Sequence, residues 1–404
     1  MAIQVLMLGF LVEPEYFNER TVVDRYPQVA ARKLELGILD GLVSNGARIR
    51  VVGSFPSSTF PKNHQLFFGC RRWWYGSVPC LRIPFINLPA VKHATRFVTS
   101  FFALLSEVLR YGRPDTVFVY SAHTPYLLAA FLARKICGVD YFVMVPDLPQ
   151  HMNHGLKQPP LWRMVKTIDT KIITKLVARA NGVATITKYV LSDVPEWEAL
   201  PSVVIEGIAE VQSMPERVEC AGKPYFLYSG SLNEAYGVGE LVRAFADSKL
   251  DAELWICGSG PLSETIRSYS ESDSRIKYLG FLSQDRLATV QRAAIGLLIT
   301  RPSVDPYVRY SFPSKLLEYM GTGVPVLTTR LPGIPGEYYE FLSIIEECSP
   351  RGIIDALGAH LSREADEHKQ QGRKALKFVK EFKSPKVAVT PLLHLLESRR
   401  RRGD

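Results

Sequence analysis

The sequence predicts an α/β protein built from two doubly wound, Rossmann-like domains. Three observations carry this. Short runs rich in Val, Ile and Phe alternate with stretches of helical period almost from end to end. The runs are apolar at consecutive positions, as parallel strands buried on both faces are. The 404 residues exceed the roughly 250–300 at which a single core stops growing, so two domains are expected. Composition is 47% hydrophobic and 22% charged, with 28 Gly and 27 Pro, which excludes collagen-like, low-complexity and wholly disordered classes.

In chain order, IQVLMLGF reads as a first strand, followed by an amphipathic helix over Gln28–Val43 and the strand RIRVVGS. TVFVYSA leads into the helical LLAAFLARKI, then the strand DYFVMVPD and a helix from about Leu161 to Arg179. GVATIT and SVVIEG close the first half. The polar stretch from Gly207 to Lys223 has no clean period and precedes a fresh strand, so it reads as the linker. PYFLYSGS, AELWICGSG, RIKYLGF, AAIGLLITR and VPVLTTR are the strands of the second half, with helices GVGELVRAFADS, PLSETIRSYS and FPSKLLEYMGTG between them. The expected division is residues 1–208, residues 209–385, and a final helix with a basic tail over 386–404. A cleft between two such domains, at the carboxyl ends of both sheets, is where ligands of open α/β sheets bind.

Lys and Arg number 49 against 40 Asp and Glu, a net charge of +9, which favours anionic partners. Six scattered cysteines without CxxC or zinc spacing point to a reduced, cytoplasmic chain. The first apolar run lacks a basic leader and cleavage site and ends at Glu13, so it reads as a strand rather than a signal peptide. No run reaches the ~20 apolar residues that span a bilayer.

The most informative segment is Arg301 to Thr329, RPSVDPYVRYSFPSKLLEYMGTGVPVLTT. A helix is expected to open near Ser311–Pro313, with Ser311 before a first-turn Pro. Ser314, Lys315 and Glu318 then share one helix face. A helix amino end with a lysine suits a diphosphate, and a carboxylate one turn on suits ribose hydroxyls. The competing reading is a capped helix with a Lys–Glu surface pair. His123 in SAHTP and Asp147 in VPDLPQH each follow a buried strand at its carboxyl end. His151 and His154 lie near Asp147 without tetrahedral spacing, so no metal is expected. GSGP at Gly258 lacks the third glycine of a dinucleotide fingerprint, which argues against a nicotinamide enzyme.

FPSKLLEYMGTGVPVLTT followed by LPGIPGEY resembles the donor-binding signature of GT-B, retaining glycosyltransferases of the family 4 type. YSGSLNEAYGVGELVRAF, LWICGSGP and IKYLGFLSQDRL agree in order and spacing, and QVAARKLELGILDGL, VYSAHTPYL and VPDLPQHMN match more loosely. The variant with YSFPSK resembles the branch that builds bacterial capsular or other surface glycans.

The resemblance implies an acceptor-binding first domain, a nucleotide-sugar-binding second domain and a last helix that packs back on the first. It implies that Glu318 holds the donor ribose and Lys315 the diphosphate, with Gly230 and Ser231 presenting backbone and hydroxyl to the same phosphates. Gly258 and Gly260 would allow close approach near the nucleotide, the backbone around Leu279–Phe281 would meet the base, and His123 would sit by the reacting centre. Asp147 is expected on the acceptor side. Two departures stand out. The first Glu of the family's E-x7-E motif is Tyr310 here, where Asp305 or the Tyr310 hydroxyl could substitute. The Arg and Lys of G-R-L-x3-K-G are Ser231 and Tyr236, leaving Arg301 and Arg309 as replacements.

The implied mechanism is front-face transfer with retention. The donor phosphate takes the acceptor proton, the protein stabilises the departing diphosphate, and domain closure assembles the site without metal or cofactor. Implied partners are a UDP- or GDP-sugar and a glycan or lipid-linked acceptor. CRRWWYGSV, the amphipathic Phe97–Leu109 and the stripe Lys171, Lys175, Arg179 suggest contact with the anionic inner face of the cytoplasmic membrane. The alternative for these features is a core helix with a solvated face and aromatics in the acceptor pocket. Four consecutive Arg near the end are unaccompanied by a nucleic-acid motif, so no nucleic-acid partner is expected. Two other functions stay open: a nucleotide-sugar 2-epimerase, and a non-catalytic nucleotide-sugar-binding partner.

Overall fold

The computed structural model describes residues 2–22, 24, 28–148, 160–209 and 222–398. The chain divides into two compact units, Met1–Ile208 with Pro385–Asp404, and Ala209–Ser384. Most of the linker segment, His151, His154 and the terminal arginines from position 399 on lie outside the described residues.

The strands of the first unit are β1 (Gln4–Gly9), β2 (Arg48–Gly53), β3 (Phe67–Phe68), β4 (Arg71–Tyr75), β5 (Val78–Arg82), β6 (Phe85–Ile86), β7 (Thr116–Tyr120), β8 (Asp140–Val145), β9 (Gly182–Thr185) and β10 (Ser202–Val204). Eight form one sheet in the order β10-β9-β8-β7-β1-β2-β5-β4, parallel except for β4. β3 and β6 pair as a separate antiparallel ribbon. Every residue of β7 and of β9 is buried, which accounts for their unbroken apolar runs. Helix Val29–Ser44 buries Ile38, Leu39 and Leu42 against the sheet. The terminal helix Pro385–Glu397 closes on it at Gly41, where a Cβ would stand 2.5 Å from Val389 Cγ2.

The segment Arg71–Tyr75 is an edge strand, β4. Its pleat turns Trp73 into the core at 9% exposure and Trp74 outward at 68%. Helix Val91–Tyr111 is amphipathic, and its buried face is mixed. It buries Ala103 and Leu104 together with Lys92, Arg96, Ser100 and Glu107, and exposes Val98, Phe102 and Leu109. Inward partners explain the buried polar side chains. Lys92 Nζ donates to the Ser57 carbonyl, Arg96 to the Phe55 carbonyl, and Glu107 accepts from Arg72 at 3.0 Å.

The second unit holds β11 (Tyr225–Ser231), β12 (Glu253–Ser259), β13 (Ile276–Gly280), β14 (Gly296–Ile299), β15 (Val326–Thr329) and β16 (Ser343–Ile345). They form a fully parallel sheet in the order β13-β12-β11-β14-β15-β16. One face buries Leu227, Leu297 and Val326 against Leu316, Leu317 and Met320 of helix Ser314–Met320. The other buries Phe226, Leu254 and Leu298 against Val238, Leu241 and Phe245 of helix Val238–Asp247. In each sheet the strand order reverses once, between β1 and β7 and between β11 and β14. Loops leaving the carboxyl ends at such a reversal diverge and leave a crevice for ligand.

Candidate functional site

At the reversal of the second sheet, three loops meet because glycines let backbone approach backbone. Gly258 has φ +140, and a Cβ there would lie 1.9 Å from the Gly230 carbonyl oxygen. Gly237 has φ +71, and its Cβ would strike the Thr300 carbonyl at 2.0 Å. The ends of β11, β12 and β14 are thereby clamped together. A Cβ on Gly260 would likewise stand 2.4 Å from the Leu232 carbonyl. The glycines expected beside a nucleotide thus serve first to seat one protein loop on another.

Past β14, Arg301 is buried at 8% exposure. Its Nη1 donates to Ser311 Oγ at 2.8 Å, and its guanidinium faces the rings of Tyr236 and Tyr307 at 5.5 and 5.1 Å. Ser311 therefore does not cap the helix, as its sequence position had suggested. The helix starts at Ser314 with Pro313 at its N-cap and no side-chain cap. Tyr310 is half-buried in the short 3-10 turn Pro306–Tyr310, with the Arg309 guanidinium 5.4 Å from its ring. Asp305, Ser231 and Ser314 are exposed, and Phe281 stands 85% exposed after Gly280, where φ is +64.

Lys315 and Glu318 meet, Nζ to Oε1, at 2.9 Å, both about one-third exposed. The surface-pair reading of these two residues is realised in the geometry, yet the pair is also anchored inward. Gln291, 3% exposed, gives one Nε2 hydrogen to Glu318 Oε1 at 3.0 Å and the other toward Ser229 Oγ at 3.4 Å. Tyr319 OH accepts from Ser229 N–H at 2.9 Å and donates to the Ser229 carbonyl at 3.0 Å. Burial drives the Tyr319 phenol well above its ordinary range, so it stays protonated. Lys315, Glu318, Gln291, Ser229 and Tyr319 form one chain of hydrogen bonds. It ties the helix to the last turns of β11 and fixes where the carboxylate sits. Gln291 was missed from the sequence. Its signal was a polar residue four positions after Leu287, within the apolar stripe of helix Gln284–Ala293.

His123 lies at the other reversal, past β7, with Phe10 from the loop after β1 stacked on it at 5.4 Å. Tyr126 and His93 meet its ring edge to face at 5.0 and 5.3 Å. Arg96 Nη1 lies 3.4 Å from His123 Nε2. A guanidinium only donates, so Nε2 is the acceptor and Nδ1 carries the proton. Burial, then the charge of Arg96, hold the imidazole well below its usual pKa, so His123 is neutral at pH 7. Beneath it, Glu35 accepts the Phe10 amide at 2.8 Å, and burial pushes its carboxyl up to about 8. Asp147 is exposed after β8. Among the described residues no group of three His, Cys, Asp or Glu is placed to hold a metal ion.

Two groups therefore come together: Lys315 with Glu318, and Arg301 with Tyr236, both at the carboxyl edge of the second sheet. His123 and Asp147 belong to the first unit. Residues 223–362 match the family model described as glycosyl transferases group 1. The N-acetyl-alpha-D-glucosaminyl L-malate synthase of Bacillus anthracis is 23% identical over 305 residues, covering 70% of this chain and 74% of its own length. Among solved structures, the lipopolysaccharide outer core galactosyltransferase WaaB in its apo form has a TM-score of 0.64 at 16% identity, over 98% of this chain and 100% of that one. HepE of Anabaena in complex with UDP has a TM-score of 0.64 at 13% identity, with the same coverage. The second unit thus matches the group 1 glycosyl transferase model, and the chain shares the GT-B fold of these solved structures, two parallel Rossmann-like sheets.

Proposed function

We propose that the protein transfers a sugar, with retention of configuration, from a UDP- or GDP-sugar held by the second unit to a glycan or lipid-linked acceptor taken by the first, in the assembly of a surface polysaccharide. The observation that carries the donor side is the Gln291-anchored Glu318 carboxylate beside Lys315, at the glycine-clamped end of β11. Glu318 then accepts the ribose hydroxyls. Lys315 is released from it to the diphosphate, and Gly230, Ser231 and Ser314 offer further donors. Arg301, with Tyr236 above it, supplies the second positive charge that the missing motif residues would have given, and Tyr310 faces the sugar in place of the motif's first Glu. The UDP bound by HepE supports a uridine nucleotide as the first donor to try.

Chemically, the departing diphosphate needs positive charge where its own charge grows, and in this reading Lys315 and Arg301 supply it. A neutral His123 with its proton on Nδ1 donates a hydrogen bond without adding charge beside the reacting sugar. Asp147 lies toward the acceptor. Against the two rival functions, a 2-epimerase would turn over UDP-N-acetylhexosamine without acceptor, and a non-catalytic partner would bind donor without transfer or hydrolysis.

The surface-glycan role brings a membrane with it. Helix Val91–Tyr111 exposes Val98, Phe102 and Leu109, and helix Pro160–Val177 exposes Trp162, Val165 and Ile168 at 54, 46 and 50% beside the exposed Lys171 and Lys175. Apolar side chains interleaved with lysines suit an anionic lipid surface. No described helix is long and apolar enough to cross a membrane. The test of function is a thermal-shift panel of nucleotide sugars followed by turnover assays. One UDP- or GDP-sugar should stabilise the protein well beyond the bare nucleotide, and Lys315→Ala should abolish the gain. A panel with no stabilising member refutes the reading.

A further inference from the structure

We propose that the basic cluster Lys92, His93, Arg96 and His123 in the first unit is an anion subsite that binds a phosphate group of the acceptor, a refinement that rests on the acceptor being taken by this unit.

Among the described residues, the buried cations Arg82 and Lys383 have acids at 2.9 and 3.4 Å, Glu13 and Glu337, whereas Arg301, at the proposed donor site, has no ion pair and a buried Nε without a hydrogen-bond partner. Arg50 and Arg72 share Glu107 at 3.9 and 3.0 Å. Arg96 resembles Arg301 rather than the paired cations. At 3% exposure it makes no ion pair among the described residues. Nη2 donates to the Phe55 carbonyl, Nη1 to His123 Nε2, and Nε is buried without a hydrogen-bond partner. The rings of Phe85 and Phe10, 4.2 and 5.5 Å from its central carbon, give it cation–π contact but no countercharge.

Lys92, 5% exposed, donates to the Ser57 carbonyl and to Thr59 Oγ1 at 3.2 Å. The acids nearest the cluster are engaged elsewhere. Asp24 accepts from Ser58 and Asn63, and Asp169 accepts from Thr124. A buried charge is costly unless paired, so two buried cations with two imidazoles beside them leave a standing positive potential. Burial, then the charge of Arg96, push Lys92 down to about 7, and a dianion relieves that repulsion.

The cluster is reachable. His93 is exposed and His123 half-buried, their rings edge to face, with Arg96 against His123. It sits at the strand-order reversal between β1 and β7, where a parallel sheet presents ligand. A guanidinium whose Nε–H lacks a partner can donate to an oxyanion, and a phosphate dianion balances the two buried cations.

The test is a titration of the full chain, with its histidine rings isotope-labelled, by inorganic phosphate and then by phosphate in saturating UDP. We expect saturable movement of the His93 and His123 ring signals with a Kd on the order of 1 mM. The affinity should fall about tenfold or more in His93→Glu, which puts a carboxylate at the exposed mouth without touching the core. Arg96→Met should abolish the movement, and its thermal midpoint shows whether it has folded. Unmoved rings up to about 50 mM phosphate would show that the cluster is structural and overturn the subsite. Loss of the phosphate response when UDP is present would assign the anion to the donor instead and overturn the acceptor assignment. Phosphate binding in a protein that does not bind UDP would support the subsite while refuting the donor reading.

Discussion

Replacing Gln291 by Met isolates what the buried amide does for Glu318. The side chains are similar in volume, so packing is nearly conserved and the change is the loss of Nε2. Two hydrogen bonds go with it, one to the Glu318 carboxylate at 3.0 Å and a long one to Ser229 Oγ at 3.4 Å. A bond to a charged group is worth about 1.5–3 kcal/mol, but Glu318 is 31% exposed and water replaces part of it, so the lower end applies. With about 0.5 kcal/mol for the longer bond, urea unfolding should give a loss of about 1.5–2 kcal/mol.

The second readout is donor affinity. Glu318 keeps Lys315 but loses the inward anchor that aims its carboxylate, so calorimetry should show UDP binding weakened about five- to tenfold, or about 1–1.4 kcal/mol. Gln291→Glu should be worse on both counts, since it sets two carboxylates against each other. If Gln291→Met lost the expected stability yet bound UDP within about twofold of the parent, the amide would be a packing element and the reasoning that links it to the site would fail.

Gly258→Ala should cost about 3 kcal/mol or more in urea unfolding and also remove UDP binding, because its Cβ would meet the Gly230 carbonyl at 1.9 Å; a folded, binding-competent variant contradicts the clamp. Tyr319→Phe leaves the Ser229 N–H without its partner and should destabilise by about 1–3 kcal/mol by the same measurement. Glu35 predicts a pH dependence. Its folded pKa of about 8 lies above the ordinary 4.5, so between these values the unfolded chain has released a proton that the folded chain keeps. Its contribution to stability therefore falls as pH rises through that window and is constant above it. Glu35→Gln, which keeps an acceptor for the Phe10 amide, should remove that decline and gain on the order of 1–3 kcal/mol at pH 8 relative to pH 5. In flotation with vesicles, the parent should associate with anionic but not neutral lipid, and Trp162→Ala with Phe102→Ala should reduce that; equal binding to both lipids removes the charge argument.

The strands of both sheets were legible because parallel strands with helices on both faces read as unbroken apolar runs, as β7, β8 and β11 do. The hairpin of β4 and β5 was not, since its charged and aromatic residues alternate only once the pleat is known. Lys315 and Glu318 could be read as neighbours because one helix carries both at a spacing of three. Gln291 and Arg96 could not be placed, since each meets its partner 27 residues away through tertiary packing. Helix Val91–Tyr111 shows the same limit. Periodicity reports that two faces differ, and only the partners of Lys92, Arg96 and Glu107 account for the polar side chains on the buried one.

The most direct measurement is binding and turnover of the best nucleotide sugar by Glu318→Ala and Lys315→Ala, with unfolding followed in parallel. Both variants should stay folded, since their pair is about one-third exposed, while donor affinity and transfer fall by tenfold or more in each. Full donor binding and turnover in two folded variants would contradict the placement of the nucleotide at the end of β11.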